Sequence, residues 1–279
     1  MSLSNIEEIA TFIVADGKGI LAADESNPTC GKRFDSIGVD STEENRRDYR
    51  ELLFRSKGMK GNIGGVILFD ETIRQKAKDG TLLRDIISDQ GALPGIKVDK
   101  GLQPIEDCPN ETVTVGLDGL DERLKEYSSM GAKFTKWRAV INIGDGIPTD
   151  KCIDANMQAL ADYAKCAQDN GMVPIVEPEV LMDGEHNIDQ CFEATERSLK
   201  SLFSHLEKAS VNIKGTLLKP NMVTSGKDAT DQANVEEVAH KTLDCLIANV
   251  PAELPGITFL SGGQSDILAT AHLDAMNKI

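Results

Sequence analysis

The sequence predicts an α/β fold of the TIM (β/α)8-barrel type, with seven strands readable and the eighth missing from this chain. Three observations predict it. The chain has 279 residues, close to the length of about 250 typical of a single barrel. Apolar, β-branched stretches recur along it, each short enough to be one strand buried on both faces, as parallel strands are. Helical patterns separate them, at a mean spacing of about 40 residues, which is long for a bare βα unit and ordinary for a barrel with insertions. No Pro/Gly/Ser-rich linker divides the chain, so one barrel domain over residues 1–279, incomplete at its C-terminus, is expected. A doubly wound open sheet is the alternative. It calls for a GxGxxG turn after the first strand, and "GKGILA" does not follow a strand in that way.

The elements follow in order. Ser4 and Glu7 form a capping-box pattern that opens an amphipathic helix with Ile6, Ile9 and Ile13 on one face. "GKGILAADES" supplies the first strand, and Ser41 with Glu44 caps another helix. "GGVILFDET" and "GIKVDKG" read as the next two strands, and residues 117–131 as a helix with Leu120, Leu124 and Tyr127 inward. "AKFTKWRAVI" is the fourth strand. Residues 151–169 form a helix with Ile153, Met157, Leu160 and Ala164 on one face, stopped by Asn170-Gly171. "VPIVEPEV", "IKGTLLKPNMV" and "GITFLSGGQ" complete the strands, and a last helix from Ser265 turns Ile267, Leu268, Ala271 and Met276 to its apolar side. An eighth strand at this spacing falls beyond Ile279.

Composition narrows the function. A hydrophobic content of 40% with 27% charged residues fits a soluble globular protein. A net charge of −15 disfavours nucleic acid and anionic membrane as partners. It leaves room for an anionic small molecule held by a local cluster of lysines. No apolar run approaches the roughly 18 residues of a membrane span. The N-terminus has no basic stretch before its apolar residues, so it is not a secretory signal. The six cysteines are scattered without a CxxC pair, which fits reduced thiols and a cytoplasmic location. The four histidines show no HxH or HExxH spacing, so no metal site is expected, and they read as surface or helix residues.

Chemistry gathers at the strand ends, where a barrel builds its active site. These ends carry Asp24, Asp70, Lys97 with Asp99, Lys136 with Arg138, Glu177 with Glu179, Lys219 and Ser261. Residues two apart on a strand face the same way, so if Lys136 points into the barrel Arg138 does too and Trp137 points out toward the helices; the same argument pairs Glu177 with Glu179 and Lys97 with Asp99. Lys219 has two readings: a strand-terminal lysine with its head in water, or an amine in a pocket that attacks a carbonyl. The charged mouth is either a structural ion-pair network or an active site whose groups shift one another's pKa. "SGGQS" at 261–265 reads as a simple turn or a phosphate cradle at a helix N-terminus. "ADESNPTCGKR", with Ser26, Thr29, Lys32 and Arg33, is an anion site or an ordinary polar loop.

The stretches "GKGILAADES", "STEENRR", "GGVILFDET", "GIKVDKG", "KWR", "VPIVEPE", "GTLLKPNMV" and "GITFLSGGQS" together resemble class I fructose-bisphosphate aldolase, in that family's order and over essentially the whole chain. The resemblance implies a barrel lyase with no cofactor and no metal. It would cleave fructose 1,6-bisphosphate, a sugar bisphosphate, to dihydroxyacetone phosphate and glyceraldehyde 3-phosphate through a lysine Schiff base. By motif, Lys219 would be that lysine. Glu177, with Glu179 beside it, would shuttle protons, and Asp24 would accept the proton of the C4 hydroxyl. Lys136 and Arg138 would supply positive charge, with Lys136 keeping Lys219 deprotonated. Lys97, Ser26 and Thr29 would lie near the 6-phosphate, and Ser261 and Gly262 near the 1-phosphate. The family implies a homo-oligomer, commonly a tetramer.

The family pattern continues past "FLSGGQS" and its helix into an eighth strand with a phosphate-gripping arginine and a tail ending in tyrosine. This sequence shows neither, so the first and seventh strands are expected to have unpaired edges, or to meet by distortion or by contact with another chain, and the activity of the chain to be impaired. Two other readings stay open beside the leading one. They are a lysine-dependent barrel lyase for a different sugar phosphate and a non-catalytic aldolase-like scaffold module. A metal-dependent aldolase is disfavoured by the sparse histidines.

Overall fold

The computed structural model describes Leu3 and residues 5–279. The chain begins with α1 (Ile6–Ile13), β1 (Gly19–Ala23), α2 (Asn27–Asp35), α3 (Glu43–Phe54) and β2 (Ile63–Leu68). Next come α4 (Asp70–Arg74), α5 (Leu83–Asp89), β3 (Leu93–Lys97), β4 (Leu102–Ile105) and β5 (Cys108–Thr114). The second half runs α6 (Leu120–Ser129), β6 (Phe134–Ile141), α7 (Asp150–Asp169), β7 (Val173–Val180), α8 (Ile188–Lys208), β8 (Leu217–Leu218), α9 (Val235–Asn249) and α10 (Asp266–Met276).

The expected helices form, with their caps adjusted. Ser4 lies outside the described residues; Asn5 caps α1 by accepting the Glu8 N–H at 2.9 Å. For α3 the cap is Thr42, not Ser41, with its hydroxyl accepting from Asn45 N at 3.1 Å. Asn170 ends α7, and Gly171 follows at φ +71°, a left-handed turn that side chains resist. In α10 the buried residues are His272 and Met276, one turn apart, whereas Ile267 is 79% exposed. The expected apolar side is therefore exposed at Ile267 and Leu268 and buried only at Met276. The reading of the histidines as surface or helix residues holds for His205 and His272, which lie in α8 and α10 though buried, and fails for His186, which is buried in the loop before α8.

Six strands form one curled parallel sheet in the order β1-β2-β3-β6-β7-β8. The barrel-type architecture is as expected. The seventh segment lies beside β8, with Thr258 N donating to Leu218 O at 2.9 Å and Leu260 N to Pro220 O at 3.2 Å. It ladders only at the single bridge Leu218–Ile257, because Pro220 has no N–H to return. Among the described residues β1 pairs only with β2, so its outer edge is open. An antiparallel hairpin, β4–β5, not anticipated from the sequence, is inserted between β3 and β6.

Alternation along the strands sorts side chains into two packing regions. Val66, Leu68, Ile96, Trp137, Val176 and Leu218 point outward and pack with the helices. Trp137 is fully buried and stacks on Tyr163 of α7 at a centroid distance of 5.4 Å, as its predicted outward direction requires. Inside, Ile67, Phe134, Val173, Ile175 and Leu217 meet Ile9, Ala10 and Ile13 of α1. This helix closes the N-terminal end of the sheet and forms an apolar floor. Close approach is possible because the strands carry glycine there: a Cβ on Gly64 would sit 2.1 Å from the Ile13 carbonyl oxygen. That oxygen is backbone and cannot rotate away. Gly64→Ala is expected to cost about 3 kcal/mol of stability by overpacking, read as a lowered urea midpoint.

Candidate active site

The apolar floor gives way to a charged layer two residues farther along each strand. On β6 Phe134 is followed by Lys136, on β7 Ile175 by Glu177, and after β8 Leu217 by Lys219. Lys219 lies one residue past the strand, yet its N–H still donates to Val176 O at 2.9 Å. Its backbone is thus held in the ladder while its side chain reaches inward. The Lys219 amine donates to Glu177 Oε1. Its side chain is only 13% exposed, and that of Glu177 is 3%. The solvated, strand-terminal reading of Lys219 does not hold.

Glu177 serves two cations at once. Its Oε2 lies 3.1 Å from Lys136 Nζ, an ion pair without hydrogen-bond alignment. Lys136 in turn pairs with Asp24 Oδ2 at 2.7 Å. Asp24, Lys136, Glu177 and Lys219 therefore form a continuous chain across the barrel mouth. Beside it Arg138 pairs with Glu179, Lys97 with Asp99, and Arg33 with Glu25. These pairs match five cations with five carboxylates, so the paired layer is neutral within a chain of net charge −15.

Burial and pairing pull the titrations in opposite directions, and pairing wins. Desolvation alone raises the pKa of Asp24, but the Lys136 ammonium, with Lys219 and Lys97 behind it, holds it below the ordinary carboxyl value. Glu177 behaves alike: burial raises it, and Lys136 and Lys219 bring it below normal. Burial disfavours the charged form of Lys136, yet Glu177 and Asp24 keep its pKa well above the usual lysine value.

A cleft of about 820 Å³ opens over this layer and is lined by Asp24, Ser26, Thr29, Lys97, Lys136 and Arg138. Glu177, Glu179 and Lys219 join it through their partners Lys136 and Arg138. Ser26 and Thr29 hydrogen-bond each other at 3.0 Å at the start of α2. Ser261 and Gly262 do not line this cleft. They form a turn closed by Gln264 N donating to Ser261 O at 3.2 Å, with Gly262 at φ +64° and Gly263 at φ +96°. A Cβ on Gly262 would meet Leu260 and Met182, which places the turn against the loop after β7. The cleft wall carries four further cations: Arg33, offered by the sequence only within a loop that is an anion site or an ordinary polar turn, and Arg74, Lys100 and Arg123, which the sequence did not single out. Arg123 spends its donors on the carbonyls of Val98, at 2.9 Å, and Gly116, and so ties the hairpin insertion to the end of β3.

Stability follows from these shifts with a definite sign. Asp24 and Glu177 contribute above their unfolded values of about 3.9 and 4.3 and lose that contribution as pH falls through the lowered folded values. Lys136 contributes below about 10.4 and loses its contribution as pH rises through the raised folded value. Replacing it strands the buried Asp24 and leaves Glu177 with Lys219 as its one cation. Lys136→Met is expected to cost about 3–5 kcal/mol at neutral pH in urea unfolding. The deficit shrinks below about pH 4, where the carboxyls no longer need a cation.

The chain is similar to known proteins in sequence and in fold. A family model described as class-I fructose-bisphosphate aldolase matches residues 5–279. A protein of Xanthomonas campestris pv. campestris named probable fructose-bisphosphate aldolase class 1 is 56% identical over 279 residues, covering 100% of this chain and 84% of that protein. Cytosolic fructose-bisphosphate aldolase 4 of Arabidopsis thaliana is 50% identical over 97% of this chain and 69% of its own length. A solved structure of fructose-bisphosphate aldolase from Plasmodium falciparum superposes with a TM-score of 0.96 at 46% identity, covering 98% of this chain and 79% of that one. By sequence and by fold, the chain belongs to the class I fructose-bisphosphate aldolase family.

Proposed function

We propose that this protein catalyses the reversible aldol cleavage of fructose 1,6-bisphosphate to dihydroxyacetone phosphate and glyceraldehyde 3-phosphate through an imine on Lys219. The observation that carries the reading is the buried Lys219–Glu177–Lys136–Asp24 chain at the mouth of the barrel. Lys219 Nζ attacks the C2 carbonyl of the open-chain ketose. Glu177 takes the proton that frees the Lys219 amine for this attack; once the second amine proton has moved to the former carbonyl oxygen, Glu177 returns its proton to that C2 hydroxyl, which leaves as water, and a protonated imine remains. Asp24 accepts the C4 hydroxyl proton. The C3–C4 electron pair then moves into the imine and forms an enamine as the aldehyde departs. Protonation at C3 and hydrolysis of the imine release dihydroxyacetone phosphate and free the lysine.

Lys136 steadies both acids during these transfers and opposes a second positive charge on Lys219. Glu179 acts beside Glu177 and orients Arg138. Lys97, Ser26 and Thr29 hold the 6-phosphate, with Arg138 adding charge on the same wall of the cleft. The Ser261–Gly262 turn, at the start of a helix, receives the 1-phosphate.

We place the protein in the cytoplasm as one barrel domain over residues 1–279 and as a homo-oligomer. All six cysteines are free thiols. Among the described residues no helix is long and apolar enough to cross a membrane. The exposed Ile247, Ile267 and Leu273 on α9 and α10 support self-association.

Incubation with dihydroxyacetone phosphate and borohydride is expected to add the reduced adduct mass to Lys219, and Lys219→Met to abolish it. A scaffold protein gains no adduct, and substrate profiling separates this enzyme from a lyase for another sugar phosphate. Glu177→Gln is expected to slow cleavage by about 10²–10⁴-fold in steady-state assays, without sensitivity to a chelator.

A further inference from the structure

Asp24 lies one residue beyond the last laddered pair of its strand. The register between β1 and β2 ends at Ala23 opposite Leu68, and Asp24 is followed at once by the turn into α2. The ladder therefore reaches the residue before this carboxylate but not the one after it, and does not hold the backbone on both sides. An arginine does. Arg50 on α3 is fully buried, and its Nε donates to Ala23 O at 3.2 Å while its Nη2 donates to Glu25 O at 2.6 Å. The two carbonyls flank Asp24, so one rigid fork grips the peptide on both sides of it.

The fork is itself held in place. Arg50 Nη2 lies 3.7 Å from Glu25 Oε2, and its Nη1 lies 3.9 Å from Glu71 Oε1. Glu71 is fixed by Arg46, one turn earlier on α3, through Nε to Oε1 at 2.9 Å and Nη2 to Oε2 at 2.7 Å. Arg46, Arg50 and Phe54 are the buried residues of this helix. A helix that turns two arginines inward at such a spacing is using them for something other than solvation, because buried guanidinium groups persist only where paired.

We propose that Arg50 is a positioning residue for Asp24, acting through the carbonyls of Ala23 and Glu25 to aim the carboxylate at Lys136 and at the proton of the scissile carbinol. The proposal rests on the reading of Asp24 as the acceptor of the C4 hydroxyl proton. Imine formation on Lys219 uses Glu177 and not Asp24, so the two halves of the reaction respond differently to Arg50. A lysine at this position keeps the charge and loses the two-pronged grip.

The test compares Arg50→Lys, Arg50→Gln, Asp24→Asn and the double variant Asp24→Asn/Arg50→Lys. Turnover in fructose 1,6-bisphosphate cleavage is divided by the number of Lys219 sites trapped with dihydroxyacetone phosphate and borohydride, so an unfolded fraction drops out. The expected result is a loss of about 10²-fold in cleavage per trapped site for both Arg50 variants, the size of a misplacement of about 1 Å. Trapping rates per folded molecule are expected to stay within about threefold of the parent protein, and the double variant to be no slower than Asp24→Asn alone. Equal losses in trapping and cleavage, or a double variant whose loss is the product of the single ones, would overturn the proposal. If Asp24→Asn is crippled and the Arg50 variants are not, the proposal alone fails. If Asp24→Asn cleaves at the parent rate, the role of Asp24 fails and takes the proposal with it.

Discussion

Glu177 is the group on which the site depends. Its two oxygens face two different ammonium groups, Lys219 on one side and Lys136 on the other. A lone buried carboxylate would be driven toward its neutral form, and two buried lysines would repel each other. Bridging makes each tolerable to the others. The arrangement also leaves one charge in excess among these three, and Asp24 neutralises it from the far side of Lys136. The order of residues across the mouth follows from that requirement for alternation of sign.

The scaffold supplies the alternation through register. Ile175 pairs with Leu217, so Glu177 and Lys219 two residues on lie level with each other, while on β6 Glu177 is level with Arg138 and Lys136 sits one inward step nearer the floor, level with Ile175. The apolar floor excludes water from beneath, so the charged layer is wet only from the cleft. Pairs in such a place interact more strongly than pairs on the surface, which is why the carboxyl shifts run downward despite burial. Fold and chemistry are joined here by the period of two along a strand.

Much of this was legible in the sequence. Strand positions, the inward pairing of Lys136 with Arg138 and of Glu177 with Glu179, and the outward direction of Trp137 follow from alternation alone. What escaped has physical causes. The β4–β5 hairpin is largely exposed and interrupted by Pro104, so it carries no apolar run to detect. Arg50 sits on a helix face where arginine ordinarily reaches solvent; only its one-turn spacing from Arg46 and Phe54 marks that face as buried. Arg33 and Arg123 reach the cleft from helices rather than strand ends, and periodicity does not reveal which loops fold over a barrel mouth. The Ser261–Gly262 turn shows the converse. Its residues read as an anion cradle, but their position is set by contacts with Met182 and Leu260 that no local pattern encodes.

The seating of α1 has an implication for synthesis on the ribosome. Its apolar face rests on Ile175 and Leu217, Ile6 packs against Gly215, and Glu7 accepts a hydrogen bond from Asn212 at 2.8 Å. These partners emerge some two hundred residues after the helix itself. The first helix made finds Gly64 and Ile67 under Ile13 early, but the rest of the surface that covers its isoleucines is absent until most of the chain has been translated. Contacts so distant in sequence form slowly, because a long loop must close before they gain anything. The nascent N-terminus is the segment for which a holding chaperone would compete longest.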